Sequence, residues 1–342
     1  MKKTALITGI SGFVAKHCAI EFAGAGYRVR GTVRDPGKIE QVRDTLSDHF
    51  DPEDLEIRVC DLLEDDGWAE AVSGCDCIIH VASPDPLAQP ENEEVLLRPA
   101  VDGTLRVLHA ARNNGVRKFV HTSSAFAAFY GRGREKAEYD ENDWTDLDGP
   151  GVTPYAKSKT LAERAARAFV SEHPEIHYTS INPGYIFGPS LDDDLSSSIE
   201  LIRLLLAGKY PGVARLCLPC VDVRDVARAH LMAAECRYPS GRRYLLVTDS
   251  PWMGDVARIL RAMPDGLGRK SPSTVLPNWV VWLIGIYDRP VRSIRPELGR
   301  VIHIDGRRAE QELGFTYRSV EEAVRATAES LRSLGIIQSA IA

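Results

Sequence analysis

The sequence has no long basic run, no apolar segment long enough to cross a bilayer, no internal repeat and no cysteine framework. Each absence removes a class of function. With 48 acidic side chains against 42 Lys and Arg, the formal net charge is −6, and no nucleic-acid face is expected. Arg132, Arg134 and Lys136 cluster, but Glu135, Glu138, Asp140, Glu141 and Asp143 surround them, as in a solvated loop. The longest apolar stretch, Trp279 to Ile286, falls far short of the ~20 residues of a span. It is expected to pack on its own domain, with a lipid-surface role as the alternative. Met1-Lys2-Lys3 opens like a signal peptide, yet Lys16, His17 and Glu21 interrupt the apolar stretch after it. A buried strand running into a helix is expected there, and a cytoplasmic location. Seven cysteines are an odd number without disulfide spacing. Cys217 and Cys220 form a lone CxxC, and Cys75 and Cys77 stand too close for the usual zinc spacing, so buried thiols and no metal are expected.

What is present is an alternation of short apolar runs and helical stretches. Strands are expected at 4–8, 28–33, 55–60, 76–81, 118–122 and 178–182. Helices are expected at about 13–25, 39–49, up to Asn114 with a break at Pro99, and from Thr153-Pro154 to Glu172. Runs apolar on both faces belong to parallel strands covered by helices on both sides. The expected fold class is α/β: a Rossmann-type doubly wound parallel sheet with a smaller mixed α/β lobe. Residues 1–188 form the dinucleotide-binding domain. Residues 189–342 form a substrate lobe, interwoven and partly returning to the first domain. Short helices are expected there at 196–207, 223–234 and 252–263.

Gly9-x-x-Gly12-x-x-Ala15 follows a strand and opens a helix. Such a loop (Gly9, Ser11, Gly12, Phe13, Val14) lets backbone N–H groups approach a pyrophosphate at a helix N-terminus. The end of the second strand selects the cofactor. An acid there would hold the ribose hydroxyls of NAD. The sequence reads Gly31-Thr32-Val33-Arg34-Asp35, placing Val33 at that point and Arg34 next. Arginine can pair with a 2′-phosphate and stack on adenine, with Lys38 as a second cation. NADP(H) is therefore expected ahead of NAD. A small register shift would instead make Asp35 the ribose acid.

Tyr155 and Lys159 stand four residues apart, one helical turn, on one face. An ammonium there favours the phenolate and lowers the tyrosine pKa, suiting it to proton exchange with a carbonyl oxygen. Thr122-Ser123-Ser124-Ala125 ends the fifth strand at the carboxyl edge of the expected sheet, where a hydroxyl can steady developing charge on that oxygen. Lys159 would also hold the nicotinamide ribose. The plainer alternative is a packed tyrosine and a lysine paired with Glu163.

Taken with Asp61-Leu62, His80 to Pro84, Val101-Asp102-Gly103-Thr104, Tyr155 to Glu163 and Asn182 to Pro189, these residues resemble the extended short-chain dehydrogenase/reductases. The resemblance is nearest to the dihydroflavonol reductase, cinnamoyl-CoA reductase and microbial aldehyde reductase branch. It covers nearly the whole chain. It implies Ser124, Tyr155 and Lys159 as the catalytic trio, with Ser123 the lesser candidate. It implies cofactor contacts at Asp61, Leu62, Val81, Ala82, Ser83, Thr122, Pro183 and Ile186. Substrate contacts are implied at Ser83, Pro84, Asp85, Phe126, Phe129 and Tyr185. Ala100 replaces an asparagine common in the family, and Phe129 an asparagine of flavonoid reductases. The expected activity is NADPH-dependent reduction of a small-molecule aldehyde or ketone, by a monomer or homodimer. A sugar-nucleotide epimerase or dehydratase, a 3β-hydroxysteroid dehydrogenase and a non-catalytic NADP-sensing regulator are the alternatives on the same fold.

Overall fold

In a computed structural model of the chain, seven parallel strands make one sheet. The structure describes residues 2–337 apart from 87, 134, 135, 237 and 239, so Arg134 and Glu135 of the charged loop lie outside the described residues. The strands are β1 (Thr4–Thr8), β2 (Arg28–Val33), β3 (Leu55–Val59), β4 (Cys77–His80), β5 (Lys118–Thr122), β6 (His177–Pro183) and β7 (Arg242–Leu246). Their spatial order is 3-2-1-4-5-6-7, every pair parallel. The order reverses between β1 and β4, which opens a crevice at the carboxyl ends of these two strands.

The central strands are buried on both faces because helices cover both. The Phe13–Gly24 and Val223–Glu235 helices pack on one side, in a core holding Cys18, Phe22, Val226 and Ala229. The Glu94–Asn113 and Pro154–Glu172 helices pack on the other, around Val107, Leu108, Ala166 and Phe169. Pro99 does not interrupt its helix as the sequence led us to expect. It stands in the second turn, where only the carbonyl of Val95 loses a partner.

Beyond Pro189 the chain builds a lobe from the Ser197–Leu206, Met253–Arg261, Asn278–Tyr287 and Val320–Ser333 helices, with its own core around Ile199, Ile202, Leu260 and Val324. The chain returns to the sheet through the Val223–Glu235 helix, which covers it, and β7, which forms its edge, and again through the Arg307–Leu313 helix, whose Ala309 and Leu313 join the same core. The apolar stretch at 279–286 is a helix that buries Val281 and Gly285 but leaves Trp279, Trp282, Leu283 and Ile286 exposed. No helix among the described residues is long and apolar enough to cross a membrane. All seven cysteines are free. Burial pushes the Cys217 and Cys220 thiols up, away from the thiolate that redox chemistry needs.

Candidate active site

A cavity of about 1170 Å³ opens at the carboxyl ends of the central strands and continues under the lobe. At its sheet end lies the glycine loop. Gly9 has φ +67°, and a Cβ there would sit 3.0 Å from Ala82 Cα, so only glycine suits both the conformation and the space. Its N–H donates to Thr32 Oγ1 at 3.1 Å. Gly12 begins the Phe13–Gly24 helix with no side-chain cap, so the first amides of that helix face the cavity uncapped. Ala15, at the third position of the motif, is fully buried in the core, where a methyl is accommodated. This cradle fits the pyrophosphate of a dinucleotide.

Arg34 follows β2 and lines the cavity, with no ion-pair partner among the described residues. Asp35 is turned away: its carboxylate accepts from Gly37 N at 2.9 Å, capping a single 3-10 turn. Of the two, Arg34 lines the cavity and Asp35 does not. Lys38 departs from expectation. It does not line the cavity, and its Nζ lies 3.0 Å from Gln41 Oε1 and 3.4 Å from Asp194 Oδ2. The cause is the acidic segment Asp192 to Asp194, which also takes Lys16 (2.5 Å, to Asp192) and Gln41 (3.1 Å, to Asp193). Ser11, Phe13, Val14, Asp61, Leu62, Val81, Ala82, Ser83, Thr122, Pro183 and Ile186 all line the cavity. Val81 and Ala82 are held by their amides donating to Thr8 Oγ1, both at 3.0 Å.

Thr153 caps the next helix as its sequence predicts, accepting from Ala156 N at 3.2 Å, with Pro154 in the first turn. That helix brings Tyr155 and Lys159 to the cavity beside Ser124. Lys159 Nζ lies 5.8 Å from the centre of the Tyr155 ring and 3.4 Å from the Thr122 carbonyl it donates to. The pKa shift differs from the sequence expectation. Burial, then the nearby Asp85 charge, raises Tyr155, and the hydrogen bond with Ser124 only partly opposes them. Burial also lowers Lys159 to about 8, with Asp85 acting the other way. Desolvation is the largest cause for both groups. The phenol is thus a protonated acid at neutral pH.

Ser123 is set apart from Ser124 by its partner. Its hydroxyl donates to Glu163 Oε2 at 2.6 Å. Glu163 in turn pairs with Arg243, not with Lys159 as the helix spacing allowed. Ser83, Pro84, Asp85, Phe126 and Tyr185 line the cavity, whereas Phe129 does not. Its ring is buried against Tyr130 and beside Phe126 (centroids 4.8 and 5.2 Å away), at the end of the single helical turn Phe126–Phe129. Tyr130 takes the cavity position instead. Sequence reasoning also missed Gln89, whose Oε1 accepts from Tyr155 N at 3.0 Å, and Glu297 of the lobe. Neither carries a local sequence signal.

The NAD dependent epimerase/dehydratase family model matches residues 5–246. The chain belongs to this family. Within it, the chain is an extended short-chain dehydrogenase/reductase. It is 30% identical to the dihydroflavonol 4-reductase of Zea mays, over 100% of this chain and 92% of that protein. It is 32% identical to a cinnamoyl-CoA reductase of Medicago truncatula, over 95% of this chain and 94% of that one. Among solved structures, yeast methylglyoxal/isovaleraldehyde reductase complexed with NADPH superposes with a TM-score of 0.81 at 26% identity, covering 98% of this chain and 100% of that chain.

Proposed function

We propose that this protein is an NADPH-dependent carbonyl reductase that converts an aldehyde or ketone to an alcohol. One observation carries the reading: Ser124, Tyr155 and Lys159 meet the glycine loop and Arg34 in a single cavity. NADPH, when bound, supplies hydride to the carbonyl carbon. Ser124 Oγ hydrogen-bonds the carbonyl oxygen as charge builds on it. The Tyr155 phenol gives its proton to that oxygen. Lys159 stabilises the tyrosinate left behind and orients the ribose. Arg34 supports NADP over NAD, since its guanidinium is uncommitted and can meet a 2′-phosphate. The NADPH complex of the yeast reductase points the same way.

The test is NADPH consumption against aromatic aldehydes, α-ketoesters, diketones and flavanonols. Turnover on at least one class is expected. No acceleration by any of them, with NAD co-purifying tightly, would replace this reading by an epimerase or dehydratase.

A further inference from the structure

The part of the cavity beyond Tyr155 is built by the lobe, and its chemistry is one-sided. Leu201, Leu205, Val281, Ile284 and Ile294 give it an apolar body. Among the described residues, no lysine, arginine or histidine of the lobe lines it. The cations of the cavity wall are Arg34 and Arg98, on the Rossmann side, and Lys159 at the catalytic centre. The acidic residues that the lobe gives to the cavity wall are Asp194, which pairs with Lys38, and Glu297; Asp85 joins them from the Rossmann side. Glu297 is 5% exposed and is fixed by Arg300, whose Nη1 lies 3.2 and 3.4 Å from its two oxygens. Arg300 is itself committed, its Nη2 donating to the Phe129 carbonyl and Tyr139 Oη, both at 2.6 Å. Its Nε is unpaired but buried, and Arg300 does not reach the cavity wall, so it is not placed to receive an incoming anion.

Tyr130 and Tyr185 line the same chamber. Both rings pack on Phe126 (centroids 5.5 and 5.4 Å away), and Phe126 packs edge-on to Tyr155 at 5.7 Å. The chamber therefore adjoins the reacting centre. Tyr130 is only 4% exposed, yet its hydroxyl has no hydrogen-bond partner among the described residues. The hydroxyl oxygen is not sealed from solvent; it opens on the cavity, where a ligand group can pair with it.

We propose that Glu297, with Tyr130 and Tyr185, is a specificity determinant. It selects uncharged carbonyl compounds that carry a hydroxyl group on an apolar body, and it turns away carboxylates. The hydroxyl donates to Glu297 and exchanges hydrogen bonds with the two phenols. A carboxylate would meet fixed negative charge with no free cation to receive it. This inference rests on the carbonyl-reductase reading for the meaning of the chamber, but its test needs no turnover.

Protein saturated with NADP⁺ is titrated calorimetrically with ethyl 4-hydroxyphenylacetate and with 4-hydroxyphenylacetate, the same skeleton without and with a negative charge. The ester is expected to bind at least ~30-fold tighter, equivalent to about 2 kcal/mol. Glu297→Gln keeps an acceptor for Arg300 and should shrink that gap at least about fivefold. Tyr130→Phe keeps the ring and should reduce discrimination between ethyl 4-hydroxyphenylacetate and ethyl phenylacetate, which lacks the hydroxyl. Equal binding of ester and acid by the unaltered protein overturns the proposal, and so does failure of the ester to bind at all. An unchanged gap in folded Glu297→Gln also overturns it. A protein that binds the ester selectively but oxidises NADPH with no carbonyl compound would sink the reductase reading alone.

Discussion

Arg243 Nε lies 2.8 Å from Glu163 Oε1, and both side chains are closed off from solvent. Glu163 also accepts from the hydroxyls of Ser123 and Ser180 and from the Asn182 amide, at 2.6, 3.1 and 2.7 Å. The Arg243 guanidinium stacks 4.1 Å from the Trp144 ring. One carboxylate thus ties the helix bearing Tyr155 and Lys159 to β5, β6 and β7 from beneath. Glu163→Ala leaves a buried guanidinium without its counter-charge, and is expected to cost about 3–5 kcal/mol of stability. Urea unfolding measures it; a loss below about 1 kcal/mol would show the pair to be dispensable.

Tyr155→Phe removes the proposed proton donor while keeping the ring that packs on Phe126. A fall in kcat of about 10²–10⁴ is expected, with NADPH affinity kept within a few-fold. Because burial raises the Tyr155 pKa, the phenol stays protonated through neutral pH. The rate of reduction by the unaltered enzyme should therefore show no loss of this acid between about pH 6 and 8. Near-normal turnover in the variant would reject the assignment.

Arg34→Ala should raise KM for NADPH about tenfold or more, the order of one charge-assisted contact, and leave KM for NADH little changed. Steady-state kinetics with both cofactors decide it. Equal effects on the two would mean that Arg34 does not meet the 2′-phosphate.

His17, His80 and His230 are buried, and burial lowers their pKa values to about 4, 3 and 4. His80 is locked between Thr8 and Thr104, its two ring nitrogens 3.0 and 3.1 Å from their hydroxyls. Below the ordinary histidine pKa of ~6.5 the unfolded chain takes up protons that the folded one refuses. The stabilisation is complete above that pH and is lost progressively as pH falls from about 6.5 toward 4. Melting temperature should drop steeply across that window, and His80→Asn should flatten the drop. A melting curve level from pH 6.5 to 4.5 would contradict this.

Local order was the most legible part of the sequence. β1, β2 and β5 begin and end where their apolar runs do, and Thr153-Pro154 announced its helix. The glycine loop and the Ser124, Tyr155, Lys159 set also lie in segments whose spacing is local. What failed depended on distant partners. Glu163 sits one turn from Lys159, yet Arg243 on another strand takes it. Lys38 follows Arg34 closely, yet Asp194 of the lobe draws it away. Phe126 and Phe129 occupy one short turn with their rings 5.2 Å apart, and sequence does not say which of the two reaches the cavity. Glu297 becomes part of the site only through lobe packing.

The return of β7 to the sheet edge bears on how the protein is made. Residues 184–241 separate it from β6, its neighbour. At roughly 5–20 residues per second on the ribosome, β6 waits about 3–12 s with one rim of backbone donors and acceptors open. An exposed strand rim invites pairing with another chain. Translation that stalls within this stretch therefore holds out a nascent chain ready to associate wrongly, whereas a stall after β7 has left the ribosome does not.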